Sequence, residues 1–407
     1  MKIALFSNEF PPHIYGGAGV HIDFLSQELA KLGDVEVRCF GEQSETTTMN
    51  VQGITPCLNK MEDASNSHIK MFHNLSRNVE MSQATPQADV IHCHTWYTHL
   101  AGVFTRELLQ VPLILTTHSL ETHRPWKVEQ LGNGYFLSRW IEDRAYKTAD
   151  GVIAVSEQMK QDVIEAYNVA PEKVTVIHNG IDPDFYQPTF DQSLLVEYGI
   201  NPDIPFVLFV GRITRQKGIS QLINAAKYFN TNCQVVLCAG APDTPEIAAE
   251  TETLINELQS QREGIILISE MLPREKIKVL YSHARVFACP SLYEPFGIIN
   301  LEALSCETPV VGSAVGGIPE IITEGETGYL IPLDSVSRTD FNPARPEEFQ
   351  KQFAAKINLL LEDESLAIQM GKAGRKRVLE KFSWESIAKT TFNYYQEVIN
   401  RFEKEKA

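Results

Sequence analysis

Short apolar runs rich in Val, Ile and Leu recur along the whole chain, and helix-forming stretches separate them. Such runs lack the polar and apolar alternation of a half-solvated strand, so each predicts a strand that is buried on both faces. Strands that alternate with helices predict parallel sheets of the α/β class. The predicted strands of the first half are KIALFSN, VEVRCF and residues 89–94, 112–118, 151–156 and 174–180. Those of the second half are PFVLFVG, QVVLCAG, GIILIS, ARVFACPS and PVVGSA.

The two series of strands are separated by a turn-rich segment, NGIDPDFYQP at residues 179–188. A chain of 407 residues exceeds what one hydrophobic core usually serves. We therefore predict two Rossmann-like domains, at residues 1–182 and 190–382, with a hinge between them. A long amphipathic helix is predicted at residues 383–403.

The composition excludes several classes of function. A net charge of −16 argues against a nucleic-acid partner and against an anionic membrane surface, and it favours a small metabolite or a neutral polymer. The first apolar run is too short for a signal peptide, and nowhere do about 18 apolar residues follow one another. Seven cysteines without a CxxC pair are typical of reduced core thiols. We expect a cytoplasmic protein.

The stretch SLYEPFGIINLEALS at residues 291–305 predicts a loop followed by a buried helix. The helix is expected to begin near Ile298, after Gly297, and its first amides favour anions. Glu294 lies in the loop, and Glu302 lies roughly 7 Å along the helix axis. Two carboxylates that flank an anion site suit a nucleotide sugar, which has hydroxyls on either side of a diphosphate. The alternative is a solvated pair of glutamates on a helix surface.

A second pattern, GRITRQKG, follows the first strand of the second half. It places Arg212 and Lys217 at the carboxyl end of the strand, where two fixed cations would neutralise a diphosphate leaving group. The alternative is a surface charge run, because Arg215 shares the same turn. Gly316 and Gly317 predict another tight turn between a strand and a helix, facing the same crevice.

Histidines end several strands of the first half. His92 and His94 could be metal ligands, but no Asp or Glu lies beside them, which favours hydrogen-bonded structural histidines. His118 ends a strand after two threonines and precedes a polar loop, so we expect it in a functional site.

The polar loop SLETHRPWK contains a basic and aromatic cluster formed by Arg124, Trp126 and Lys127. Such a cluster could grip the phosphate or the sugar ring of an acceptor. The alternative is an ordinary solvated loop.

Two further motifs admit other functions. The glycines of residues 16–19 can approach a phosphate, and with Glu42 they admit a dinucleotide-binding site. Ile22 stands where that fingerprint requires its third Gly, which argues against it. Asp182 and Asp184 form a D-x-D that could hold Mg²⁺ or Mn²⁺, but their place in a linker argues against a metal site.

Taken together, GGAG, TTH, GR…K and E-x₇-E resemble the retaining glycosyltransferases of family GT4, which have the GT-B fold. The resemblance covers essentially the whole chain. More narrowly, HSLETHRPWKVEQLGNGY, LCAGAPDTPEIAAE and CPSLYEPFGIINLEALSCETPVVGSAVGGIPE are similar to the short, Corynebacterium-type glycogen synthases. One departure is Thr95, which stands where classical bacterial glycogen synthases have Asp in H-x-H-D-W.

The resemblance implies two Rossmann-like domains facing across a cleft, with the helix at 383–403 packed back on the first. It implies an ADP-glucose donor, whose glucosyl group passes to glucose 1-phosphate or to an α-glucan end. The expected reaction needs no metal or other cofactor, and a homodimer is a separate expectation. The alternatives are another nucleotide sugar, a sugar epimerase of the same fold, and a non-enzymatic glucan-binding or dinucleotide-binding protein. The convergent Arg, Lys and Glu residues argue against the last of these.

The resemblance also implies residue roles. Glu294 would bind glucose hydroxyls, Glu302 the ribose, and His118 would lie near the glucose 6-hydroxyl and the reaction centre. The implied catalytic residues are Glu294, His118, Arg212 and Lys217. The implied donor-binding residues are Gly17, Arg212, Lys217, Met271, Leu272, Phe296, Gly297, Ile298 and Glu302.

Overall fold

The computed structural model describes residues 1–14, 16–43, 49–56, 67–83, 87–240, 242–337 and 340–406. The chain divides into two compact units. The first comprises Met1–Gly180 together with the segment that begins at Trp384, and the second comprises Ile181–Ser383. The six described cysteines are buried and free of disulfides, while Cys57 lies outside the described residues.

The described strands are β1 (Lys2–Ser7), β2 (Asp34–Phe40), β3 (Asn50–Ile54), β4 (Val90–His94), β5 (Leu113–Thr117), β6 (Gly151–Ala154), β7 (Val174–Val176), β8 (Phe206–Arg212), β9 (Gln234–Gly240), β10 (Ile265–Ile268), β11 (Val286–Cys289), β12 (Val310–Ser313) and β13 (Gly328–Ile331). The described α-helices are α1 (Gly17–Leu29), α2 (Ser67–Gln83), α3 (His99–Leu109), α4 (Lys127–Leu131), α5 (Gly134–Thr148), α6 (Glu157–Tyr167), α7 (Gln192–Glu197), α8 (Ile219–Ala225), α9 (Pro245–Gln261), α10 (Arg274–His283), α11 (Ile298–Ser305), α12 (Ile318–Ile321), α13 (Pro346–Glu362), α14 (Glu364–Lys381) and α15 (Trp384–Lys406).

In the first unit the described strands form one parallel sheet, in the order β3-β2-β1-β4-β5-β6-β7. Ile3 of β1 pairs with Val35 on one side and with Val90 on the other. The strand order therefore reverses between β1 and β4. In open α/β sheets, ligands bind beyond the carboxyl ends of the strands at such a reversal.

The C-terminal helix α15 completes the core of the first unit. Its apolar face packs against β1, β2 and α1, and Tyr395 and Val398 are fully buried there. The ring of Trp384 stacks on Phe24 with centroids 5.8 Å apart. Gly180 lies so close to the Trp384 ring that a Cβ at that position would stand 2.6 Å from it.

The second unit has a parallel sheet in the order β10-β9-β8-β11-β12-β13 among its described strands. The order reverses between β8 and β11, where Val207 pairs with Val286. Apolar side chains of β8, β9, α8, α9 and α13 form the main core on the sheet. Both units are thus Rossmann-like, and the predicted α/β class is confirmed.

Helix α1 begins earlier than the sequence predicts. The pattern of residues indicates a glycine-rich loop and a helix from about Val20 to Leu32, whereas Gly17 is the first residue of the helix and Leu29 the last. The carbonyl of Gly16 accepts hydrogen bonds from the amides of Gly19 and Val20, which turns the glycines into the first helical turn. None of the described helices has the length and hydropathy of a membrane span.

Candidate active site

In the second unit, the loops after β8 and β11 meet where the strand order reverses. Both strands run in the same direction, so the residues that follow them leave the same edge of the sheet. The Leu292 amide of one loop donates to the Gln216 carbonyl of the other at 2.9 Å. Gly218 adopts φ +63°, and a Cβ there would stand 2.0 Å from the Pro290 carbonyl oxygen. The predicted cation loop and the predicted glutamate loop are therefore in direct contact.

Lys217 and Glu294 form an ion pair in this contact. Lys217 Nζ donates to Glu294 Oε2 at 2.7 Å, and the Ser291 hydroxyl donates to the same oxygen at 3.1 Å. Burial acts to lower the pKa of Lys217, but the Glu294 carboxylate and the neighbouring Cys289 together raise it, and the net shift is upward. Lys217 is therefore a fixed cation at neutral pH.

Arg212 has a carboxylate partner of its own. Arg212 Nη1 donates to Asp243 Oδ1 at 2.9 Å, and the Asp243 side chain is only 7% exposed. Asp243 follows β9, the neighbour of β8, and thus leaves the same edge of the sheet. Asp243 was not predicted as a site residue from the sequence. An acidic residue just beyond the carboxyl end of a buried strand was the available signal.

The helix that carries Glu302 begins at Ile298, as predicted. Gly297 caps it with φ +101°, and a Cβ there would lie 2.5 Å from Asn300 Nδ2. Gly316 adopts φ +53°, and a Cβ would collide with the Glu294 carbonyl oxygen at 1.8 Å. Both glycines are needed for the Glu294 loop to lie against the start of α11.

Asn300 is a further polar residue at this helix end. It is fully buried, and neither polar atom of its side chain has a hydrogen-bond partner among the described residues. Asn300 was not predicted either, because it sits within an apolar helical run. The only signal for it in the sequence was an amide side chain within a helix that is predicted to be buried.

Glu302 is held by two tyrosines of the second unit. Its Oε1 accepts from the Tyr186 hydroxyl at 2.9 Å, and its Oε2 accepts from the Tyr281 hydroxyl at 3.1 Å. Burial raises the pKa of Glu302, while both hydroxyls lower it, and the net shift is upward. The predicted adenine-side residues follow β10, where Met271 is exposed and Leu272 is buried.

In the first unit, His92 is a structural histidine, as predicted. Its Nδ1 contacts the Tyr395 hydroxyl and its Nε2 contacts the Thr116 hydroxyl, both at 2.6 Å. Both ring nitrogens are therefore satisfied inside the sheet and helix core.

His118 belongs to a cluster that also contains His94 and His21. Nδ1 of His94 lies 3.0 Å from Nε2 of His118, and Nδ1 of His21 lies 2.7 Å from the Asn179 side-chain oxygen. Burial lowers the pKa of His21 to about 4, and it lowers the pKa values of His94 and His118 well below 6.5. All three imidazoles are therefore neutral at pH 7.

Ring nitrogens of the three imidazoles lie within 4.8 Å of one another, so these residues could hold a metal ion. A 3.0 Å contact between the neutral rings of His94 and His118 is, however, the length of a hydrogen bond. His21 was not predicted as a member of the cluster, because it lies on α1, far from the strand ends. The other metal candidate has a structural role, since Asp182 accepts the amides of Asp184 and Phe185 in a local turn.

Thr95 marks the reversal point of the first sheet. It adopts φ +64° and ψ +154°, which is strained for a β-branched residue, and strain of this kind is common at functional sites. Its hydroxyl donates to Asn8 Oδ1 at 2.7 Å, joining the residues that follow β4 and β1. Gly17 begins α1 at the same edge of the sheet.

The predicted acceptor loop lies beyond β5. Arg124 Nη1 donates to the Ser119 hydroxyl at 3.0 Å and lies 3.8 Å from Glu121 Oε1. Trp126 and Lys127 are half-buried at the start of α4. Arg124 is thus anchored to its own loop at the carboxyl end of the sheet.

Two models of glycosyltransferase families match this chain, one in each half. Residues 15–185 match the model of Glycosyltransferase Family 4, and residues 192–340 match that of Glycosyl transferases group 1. The α-maltose-1-phosphate synthase of Mycolicibacterium smegmatis is 44% identical over 98% of this chain and 100% of its own length. That of Mycobacterium tuberculosis is 42% identical over the same shares.

The sucrose-phosphate synthase of Thermosynechococcus elongatus has the same fold, with a TM-score of 0.78 and 23% identity over 98% of this chain and 99% of that one. Neighbours with this architecture include glycosyltransferases, and the shared GT-B fold agrees with the predicted one. The chain belongs to the GT4 family of glycosyltransferases and is a hexosyltransferase.

Proposed function

We propose that this enzyme transfers the α-glucosyl group of ADP-glucose to glucose 1-phosphate and forms an α-1,4 bond. The observation that carries the proposal is the 44% identity to an α-maltose-1-phosphate synthase over 402 residues, which include both units. The geometry supports a nucleotide-sugar donor, because two cations and a helix N-terminus lie together in the second unit.

We assign the donor to the loops around α11. Arg212, Lys217 and the backbone amides at the start of α11 bind the diphosphate, and Glu294 binds glucose hydroxyls. Lys217 links diphosphate binding to sugar binding, because it is the cation for the diphosphate and also contacts the carboxylate of Glu294. The remaining donor roles go to Glu302 for the ribose, Met271 and Leu272 for the base, Phe296, Gly297 and Ile298 for sugar and phosphate, and Gly17 for a phosphate.

The proposed reaction is a front-face displacement that retains the anomeric configuration. The bond from the anomeric carbon to the phosphate oxygen breaks, the acceptor hydroxyl oxygen forms the new bond, and its proton passes to the departing phosphate. Lys217 and Arg212 stabilise the charge that develops on ADP. Glu294 is already engaged by Lys217 and Ser291, which disfavours it as a covalent nucleophile.

The first unit supplies the proposed acceptor residues. Arg124 binds the phosphate of glucose 1-phosphate, with Trp126 and Lys127 beside it. His118 is neutral, so it exchanges a hydrogen bond with a substrate hydroxyl and does not act as a charged acid. Cytoplasmic localisation and a homodimer stay predictions from the sequence.

An acceptor screen tests the proposal. The purified protein is given ADP-glucose with glucose 1-phosphate or with glycogen, and ADP release and the product are followed by NMR. We expect rapid turnover with glucose 1-phosphate and an α-1,4-linked disaccharide phosphate. Turnover with glycogen alone would replace the proposed acceptor by an α-glucan end. Turnover with UDP-glucose alone would overturn the donor assignment, and epimer formation without an acceptor would overturn the reaction type.

A further inference from the structure

Two buried carboxyl groups, one in the acceptor loop and one on the neighbouring helix α5, are not used by the proposed reaction. Glu121 follows Leu120 in the loop and is 1% exposed, and Glu142 lies on α5 and is 2% exposed. Two acidic side chains that are buried together need compensating hydrogen bonds or a bound proton.

The hydrogen bonds around these two residues hold the loop at several points. Glu142 Oε2 accepts the Glu121 amide at 2.8 Å, and it also accepts the hydroxyl of Tyr167 from α6. The Ser138 hydroxyl donates to Glu121 Oε2 at 2.8 Å, and the Tyr135 hydroxyl donates to the Glu121 carbonyl at 2.7 Å. Helices α5 and α6 therefore fix both the backbone and the carboxylate of Glu121.

The fixed carboxylate faces Arg124. Glu121 Oε1 lies 3.8 Å from Arg124 Nη1, too far for a hydrogen bond but close enough to act as a counter-charge. Arg124 Nε is buried and has no hydrogen-bond partner in the described part of the chain. A guanidinium has five N–H donors in a planar fork, so this arginine can still bind an anion.

We propose that Glu121 and Glu142 are positioning residues that hold Arg124 to bind the phosphate monoester of the acceptor. This inference rests on the proposed function and extends it, because an uncharged glucan end makes no use of such a device. Glu121 provides the counter-charge and orients the guanidinium. Glu142 holds the Glu121 backbone and controls the total charge below the loop.

The charge of Glu142 depends on pH near neutrality. Burial and the neighbouring Glu121 raise the pKa of Glu142 to about 8, while Tyr167 and Arg124 lower it. At pH 7 the Glu142 carboxyl is therefore mostly neutral. Above pH 8 Glu142 becomes negatively charged, and this added charge beneath Arg124 opposes the binding of an anion.

The first experiment compares the wild type with Glu142→Gln, which imitates the neutral carboxyl at all pH values. We expect the wild-type KM for glucose 1-phosphate to rise about tenfold between pH 7 and 9 and the variant KM to stay flat. The second pKa of a phosphate monoester is about 6, so the charge of the substrate changes little over this range. The KM for ADP-glucose serves as an internal reference and should not follow the same curve. Glu129→Gln, an exposed acid on α4, is the matched control and should behave as the wild type.

Two further variants separate positioning from a merely structural role. Tyr167→Phe removes a donor that lowers the pKa of Glu142, so the rise in KM should move to higher pH. Glu121→Gln should raise the KM for glucose 1-phosphate about tenfold at pH 7, with kcat changed less than twofold. If Glu142→Gln does not fold, Tyr167→Phe tests the pH dependence of the KM in its place. Parallel changes in the KM values of both substrates, or wild-type pH dependence in Glu142→Gln, would overturn the inference.

If the wild type does not use glucose 1-phosphate, the proposed acceptor fails, and inorganic phosphate becomes the probe. Calorimetry should then show phosphate binding that weakens above pH 8 and disappears in Arg124→Ala. Such a result would keep the anion site with a different substrate. No phosphate binding, or binding that is unchanged in Arg124→Ala, would overturn the inference as well.

Discussion

Lys217 Nζ lies 2.7 Å from Glu294 Oε2, so the cation assigned to the diphosphate and the carboxylate assigned to the sugar are a single hydrogen-bonded pair. They are 77 residues apart in the chain, and they meet because β8 and β11 are neighbours in the sheet. Removal of either member leaves the other charge partly buried and unpaired. Donor binding and chemistry are therefore expected to depend on both.

Lys217→Ala should lower kcat about 10²–10³-fold, because it removes a fixed positive charge from the departing diphosphate. Steady-state kinetics with saturating acceptor will measure the loss. Lys376→Ala changes an exposed lysine on α14 and is the matched control. An equal effect of the two substitutions, or a Lys217 variant with wild-type kcat, would contradict the assignment.

Tyr186→Phe should raise the KM for the donor about tenfold, because a hydrogen bond to a charged carboxylate contributes roughly 1.5–3 kcal/mol. In the wild type this hydroxyl donates to Glu302 Oε1 and orients the carboxylate. The KM for the acceptor should stay within twofold. Tyr198→Phe, which removes a hydroxyl bonded to Lys276 at the surface of the same unit, is the control. If the acceptor KM alone changes, Glu302 does not bind the donor.

Gly297→Ala should destabilise the second unit and weaken donor binding, since the new Cβ would lie 2.5 Å from Asn300 Nδ2 in a backbone with φ +101°. Strain of this kind costs about 1–3 kcal/mol. Gly325→Ala is a close control, because Gly325 has φ +74° but nothing within 4 Å of the added Cβ. Chemical denaturation should show a larger loss for Gly297→Ala. Equal losses of stability in the two variants would mean that the positive φ, and not the crowding at α11, causes the destabilisation.

Trp384→Ala should lower the free energy of unfolding by about 3–5 kcal/mol, because it removes a buried ring from the core between α1 and α15. Trp140→Ala is the matched control, since Trp140 lies in the same unit and is 51% exposed. Urea unfolding of the full chain, followed by circular dichroism, measures both. A loss below about 1 kcal/mol for Trp384→Ala would mean that α15 contributes little to the stability of the first unit.

Acid should destabilise the first unit below pH 6.5. Burial lowers the pKa of His99 to about 3 and that of His21 to about 4, so these rings stay neutral when folded but bind protons when unfolded. The unfolded state then holds more protons, and stability falls as pH decreases from 6.5 towards 4 by up to about 1.4 kcal/mol per pH unit for each histidine. Melting temperatures between pH 7.5 and 4.5 will test this. His99→Gln should flatten the profile, whereas His68→Gln, on the surface, should not.

Much of the fold could be predicted because strands buried on both faces are apolar throughout. β4 and β5 fall within one residue of the predicted ranges for this reason. β3, with the sequence NVQGI, was not predicted, because it is a partly exposed edge strand. The start of α1 was misplaced because glycines suggest a loop, whereas the Gly16 carbonyl allows them to form a helical turn.

The sequence by itself determined the α/β class and the motifs that carry Lys217, Glu294 and Glu302, since these depend on local patterns of apolar and polar residues. Only the tertiary structure decided which residues they meet. Lys217 meets Glu294 from the loop after β11, and Glu302 meets Tyr186. Arg212, on β8, meets Asp243 from beyond β9 in the same way. Such pairings follow from the order of strands in a sheet and from helix packing, and no local pattern of residues encodes that order.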